Sequence, residues 1–195
     1  MYHKAAAALT RRMVKNKIID ESKYDVYAYG LELLIAYVCY FIIFYLLAFL
    51  TGTFWESTFF CVGFMILRKF GGGFHASTYL KCHALFAANH LLFIALIRFM
   101  PAYLYNALLF LIPLIAAEII WAFAPVEHEN RPFNSNEYLI FRKRSRIYSV
   151  VIILIAAVFF RFSSLRQLLM SYLLGVFSAA LSIFAGSIQA MHKDV

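Results

Sequence analysis

Six apolar runs limit what this chain can fold into more than any other feature. A helix that crosses a bilayer needs about 20 mostly apolar residues. Runs of that kind lie at about 30–50, 53–67, 83–100, 102–124, 147–162 and 165–190. The second and fifth are short. At about 1.5 Å per residue they barely reach across a hydrocarbon core about 30 Å thick, so either is expected to kink, re-enter or thin the bilayer locally. Of the 195 residues, 64% are hydrophobic and 18% aromatic, whereas soluble domains are about 45–50% apolar. Such a surplus cannot be hidden in one soluble core of this size and must face lipid. The expected architecture is all-α: a polytopic membrane protein with about six transmembrane helices, in one domain spanning 1–195.

Charge orients these spans. The net charge of +8 invites a nucleic-acid reading, but the basic residues flank apolar runs, which is the pattern of membrane orientation and attraction to anionic lipid. No nucleic-acid partner is expected. Of the 18 lysines and arginines, all but Arg98, Arg161 and Arg166 fall before the first span, in the 68–81 and 125–146 loops, or in the C-terminal tail. The positive-inside rule then puts both termini and both long loops in the cytoplasm of a multi-pass cell-membrane protein. The 1–29 arm carries Leu9, Met13, Val14 and Ile18 at helical spacing among basic residues. It reads as an amphipathic helix lying in the interface, with a solvated basic tail as the plainer alternative. It lacks the compact apolar core and small-residue cleavage site of a signal peptide.

In the last span, Ser171, Gly175 and Ala179 form one row of small residues, and Ser178, Ser182 and Gly186 another. Small residues four apart let helices approach closely in lipid, so these rows predict a packing face or a homodimer face. The three cysteines do not form a disulfide framework or a zinc pattern. Cys39 and Cys61 lie inside apolar runs, and only Cys82 has polar neighbours.

The chemistry is concentrated in Arg68-Lys69-Phe70-Gly71-Gly72-Gly73-Phe74-His75-Ala76-Ser77-Thr78-Tyr79-Leu80-Lys81-Cys82-His83. Three glycines at a membrane boundary break a helix and admit backbone conformations closed to other residues. A thiol attacks as the thiolate, and a neighbouring imidazole handles its proton. His75 and Cys82 are therefore a candidate catalytic pair, with Arg68, Lys69 and Lys81 adding positive charge. Residues seven apart on one straight helix share a face but stand about 10 Å apart, so a working pair requires the chain to turn between them. The glycines are expected to supply that flexibility, and free backbone N–H groups near the helix start can serve as an oxyanion hole. The bare pattern equally allows a small packing cysteine and an ordinary interfacial histidine.

Other residues bear on the same site. Glu118, about two turns from the cytoplasmic end of the fourth span, is an intramembrane ionisable group. It is a candidate to orient His75 or grip substrate, or else a structural carboxyl. Asn89 follows Cys82 by two turns on one face, as a polar partner or a packing amide. A metal site built from His75, Cys82, His83 and His90 has no recognised ligand spacing, so no metal or cofactor is expected. His83 and His90 read more simply as interhelical hydrogen-bonding groups.

Taken together, Arg68, the Gly72–Ala76 run, Cys82 seven residues after His75, the Pro125…Asn130-Arg131-Pro132 loop and six spans in a short chain resemble the accessory gene regulator protein B (AgrB) family. These membrane endopeptidases process quorum-sensing propeptides. The resemblance implies that Cys82 is the nucleophile and His75 its base. It further implies an acyl-thioester on Cys82, captured by an internal cysteine or serine of the substrate to give a cyclic thiolactone or lactone. The implied substrate is a propeptide with an amphipathic leader and an acidic tail. A small transporter without covalent chemistry, relying on Glu118, is the alternative. Against it, the sequence shows neither inverted repeats nor a row of intramembrane charges.

Overall fold

The computed structural model describes residues 2–74, 76, 78–127 and 133–192. Among them the chain is all-helical: α1 (Tyr2–Lys15), α2 (Tyr24–Leu50), α3 (Phe54–Gly71), α4 (Tyr79–Phe99), α5 (Ala102–Phe123), α6 (Ser135–Phe159) and α7 (Arg166–Met191), with two short 3-10 turns. The sole β-type pairing among the described residues is an isolated parallel bridge between Gly72 and Val126.

Among the described residues four segments are long and apolar enough to cross a membrane: Glu21–Leu50, Leu80–Phe99, Tyr103–Phe123 and Ser163–Met191. Large apolar side chains such as Phe49, Leu80, Phe99 and Tyr103 are exposed along them, as lipid contact requires. The chain is a membrane protein. The second and fifth apolar runs fall in helices outside this group of four. Eighteen-residue α3 carries Glu56, Arg68 and Lys69, and the first half of α6 carries Arg142, Lys143, Arg144 and Arg146.

Several helices begin ahead of their apolar runs, because capping rather than hydrophobicity starts them. Asn134 and Glu137 form a reciprocal capping box at the start of α6, where the Asn134 side chain accepts from the Glu137 N–H at 2.8 Å. This satisfies helix-end donors that the apolar pattern does not reveal. Thr78 likewise caps α4, accepting from the Lys81 N–H at 3.3 Å.

The contacts divide the chain into two compact units, Met1–Leu50 and Thr51–Val195. In the first, α1 packs along α2, and His3 Nδ1 lies 3.0 Å from Glu32 Oε2. The buried positions of α1 are Ala6, Ala7 and Thr10, while Leu9 is exposed. The helix stops at Lys15 through Lys17 N–H to Val14 O and Ile18 N–H to Met13 O, with Lys17 in the left-handed region at φ 57°. Ile18, expected on the helix, therefore lies beyond its end, because this paired closure satisfies the last carbonyls.

The second unit is built around α7. Of its spanning window 56% is buried, against 22% for α4 and 28% for α5. Its main neighbours are α3 and α5. The α3–α7 contact is backbone on backbone: a Cβ at Gly63 would fall on Tyr172 O, and one at Gly175 on Phe60 O. Gly175 meets Phe60 and Gly71 meets Ile183, so the two helices run in the same direction. Around this contact Phe60 stacks on Phe93 of α4 at 4.4 Å. His90 Nε2 pairs with Ser57 Oγ at 2.9 Å, and the Tyr148 and Tyr172 hydroxyls pair at 2.8 Å.

Candidate active site

The site begins where α3 ends. Gly72 takes φ 67° and Gly73 φ 125°, conformations that favour glycine, and the described residues from Gly72 to Thr78 are non-helical. The chain thus leaves the helix between the two proposed partners. The expected flexibility of the glycines is a different matter, because Gly71–Phe74 is held on three sides. Val126 N–H donates to Gly71 O at 2.9 Å, and Phe74 N–H donates to Ser182 O of α7 at 2.7 Å. The Arg68 guanidinium donates to Gly72 O at 2.7 Å and also to Phe74 O. With backbone groups paired on each side, the glycines permit close approach rather than motion.

The packing is equally close. A Cβ on Gly72 would fall on Val126 O, and one on Gly73 would lie 2.8 Å from Ser182 O. From the opposite side, a Cβ on Gly186 would lie 2.6 Å from Phe74 N and 2.9 Å from Gly73 Cα. One small-residue row of α7 is thus the seat of the glycine segment through Ser182 and Gly186. Its third member, Ser178, donates to Asn89 Oδ1 of α4 at 3.1 Å. The other row, through Gly175, meets α3. Both rows are used within the chain.

Beyond the clamp, Cys82 lies in the first turn of α4, and its N–H is bonded to Thr78 O at 3.0 Å. All three cysteines are free: Cys61 is buried, Cys39 half-buried and Cys82 exposed. Cys82 is therefore the accessible thiol, and it sits at a helix N-terminus, where the peptide dipoles present positive charge.

The family model for accessory gene regulator B, AgrB, matches residues 6–186. The chain belongs to the AgrB family. No curated protein and no solved structure matches it. The match takes in the glycine clamp, the α4 start and nearly all of α7, and AgrB membership supports a part in processing quorum-sensing propeptides.

Among the residues singled out in this AgrB-family sequence, Arg68, Gly72 and Gly73 meet in the clamp, which ends in sequence eight residues before Cys82 at Phe74. His75, together with Asn130, Arg131 and Pro132 of the proline loop, lies outside the described residues. Asn89 is engaged by Ser178. Glu118 is exposed, on the face of α5 that carries Leu114 and Trp121, and no described residue forms an ion pair with it. His90 is fully buried against Ser57, an interhelical role. Among the described residues no three His, Cys, Asp or Glu side chains converge.

The clamping role of three residues escaped the sequence, although two of them, Ser182 and Gly186, stood in a small-residue row. Val126, Ser182 and Gly186 hold the glycine segment through backbone atoms or through the lack of a side chain, so side-chain chemistry gave no signal of them. The proline-loop motif beside Val126 and the α7 small-residue row were the visible traces.

Proposed function

We propose that the chain is a membrane-embedded cysteine endopeptidase that cleaves a small propeptide at the cytoplasmic side and promotes its cyclisation. The observation that carries this reading is the exposed Cys82 thiol at the start of α4, just after a rigid glycine clamp that leads into His75. In this scheme His75 takes the proton of Cys82, and the thiolate sulfur bonds to the scissile carbonyl carbon. The Tyr79 and Leu80 N–H groups, at helix positions without intrahelical acceptors, face the developing oxyanion. Collapse of that intermediate breaks the C–N bond, and the protonated His75 gives its proton to the leaving amine. The N-terminal part of the propeptide remains as an acyl-thioester.

An internal cysteine or serine of the bound peptide then attacks the thioester. This closes a thiolactone or lactone and returns the Cys82 thiolate, to which the proton of the attacking group passes by way of His75. Exchange between two thioesters changes little in free energy. Cyclisation therefore competes with hydrolysis when the internal nucleophile is held close and water is kept out, conditions suited to a membrane boundary. The substrate is a propeptide with an amphipathic leader and an acidic tail, matched to the basic cytoplasmic loops.

Six crossings with both termini in the cytoplasm complete the reading. Lys and Arg distribution supports it, as does the parallel run of α3 and α7 with three helices between them. In this arrangement α1 lies in the interface, with Leu9 towards lipid. The test is co-expression with the propeptide encoded beside this chain. Cys82→Ala and His75→Ala should each abolish release of the C-terminal fragment, and wild type should carry a hydroxylamine-sensitive adduct on Cys82. Processing that survives Cys82→Ala would end this reading, and transport lost only in Glu118→Gln would replace it with the transporter.

A further inference from the structure

On the second unit, beside the end of α5, lies a groove of about 430 Å³ whose lining includes Trp121, Arg142, Lys143, Arg146, Ile147 and Val150. It lies where α6 changes character: Arg142, Lys143, Arg144 and Arg146 precede Ile147, and no charged residue follows before Phe159. A helix that turns from basic to apolar beside a tryptophan marks the headgroup level of a bilayer. The groove crosses that level.

Its floor is fixed. The Arg146 guanidinium lies 4.7 Å from the Trp121 ring centroid and donates to Trp121 O at 3.4 Å. The indole N–H donates to Ser149 Oγ at 2.9 Å, and that hydroxyl donates to Arg146 O at 2.8 Å. Arg142 and Lys143 stand exposed at the rim, and no carboxylate among the described residues pairs with either or with Arg146. Below them Ile147, Val150, Leu154 and Val158 are exposed one turn apart along α6, a track that fits an acyl chain.

We propose that this groove binds one anionic phospholipid, its phosphate and headgroup held by Arg142, Lys143 and Arg146 and an acyl chain laid along Ile147 and Val150. The charge selects the headgroup class, since three close cations repel the ammonium of a zwitterionic lipid and attract a net negative one. The apolar track selects a lipid over a soluble acidic peptide, which would leave those side chains uncovered. The assignment needs only that the chain is a membrane protein, and it stands apart from the peptidase chemistry.

The chain has two tryptophans, so Trp55→Phe leaves Trp121 as the reporter. The full-length protein is placed in mixed phosphatidylglycerol–phosphatidylcholine vesicles in which one lipid or the other carries brominated chains at equal mole fraction. Brominated phosphatidylglycerol should quench Trp121 with an apparent preference of about fivefold or more for each basic residue engaged. Arg142→Gln with Lys143→Gln should cut the preference to about the fivefold that Arg146 alone supplies, whereas the charge-conserving exchange Arg142→Lys with Lys143→Arg should keep it in full and so control for folding. Equal quenching of Trp121 by the two lipids would overturn the proposal. So would loss of the preference on adding soluble glycerol phosphate or a short glutamate peptide, since the groove would then be a free-anion or peptide site.

Discussion

At Gly186 a single methyl group would press on Phe74 N and Gly73 Cα, two atoms of the segment that leads to His75. In the proposed mechanism Gly186 is a positioning residue that acts through the glycine clamp. Gly186→Ala should cost about 1–3 kcal/mol of stability as an overpacked contact. A displacement of about 1 Å at the reacting groups should lower propeptide processing about a hundredfold. The check is a processing assay normalised to protein in the membrane. Arg68 presents the opposite case, since its planar fork spans two carbonyls that a lysine ammonium cannot grip together. Arg68→Lys should therefore process more slowly than wild type and faster than Arg68→Gln, measured as fragment release over time.

The helix starts carry separable contributions. Asn134→Ala removes the capping-box acceptor of α6 and should cost about 1 kcal/mol, seen as faster amide exchange over the first turn of α6 with the apolar half unchanged. In α4 the same physics bears on the proposed nucleophile, because Thr78 orders the turn that presents Cys82. At the α3–α7 crossing, Gly175→Ala would push the added methyl onto Phe60 O. It should lower the thermal transition in detergent more than any cap mutation. The apolar run and the helix coincide poorly at these starts because donor satisfaction, a short-range polar matter, decides where a helix begins.

For the whole molecule, the central question is how many helices cross the bilayer. Among the described residues four segments are long and apolar enough to do so, and in the proposed six-crossing arrangement α3 and α6 place their charged ends at the two interfaces. In a cysteine-free background, Asn136→Cys should label with an impermeant maleimide only from the cytoplasmic side, and Ser164→Cys only from outside. Labelling of both from one side would remove a crossing at α6. Within the second unit, the His90–Ser57 pair joins α4 to α3 across buried surface. Ser57→Ala should cost about 0.6 kcal/mol and no more than about 1.7, as interhelical hydrogen bonds in lipid do, measured by unfolding in mixed micelles.

What the sequence determined by itself is the class of molecule and the segment proposed to carry its chemistry. Apolar runs and the scatter of lysine and arginine depend only on local composition, so the helical membrane fold was legible without any contact. The Arg68–Cys82 block was legible too, because a cysteine, a histidine and helix-breaking glycines sit within one short segment. Tertiary structure alone decided how that segment is held. The residues that clamp it, Val126, Ser182 and Gly186, are far from it in sequence and act through carbonyls, amides and an absent side chain, which leave no chemical signature along the chain. For the same reason the small-residue rows of α7 pointed only to close packing. The fold assigned one row to α3 and the other to the glycine clamp and α4.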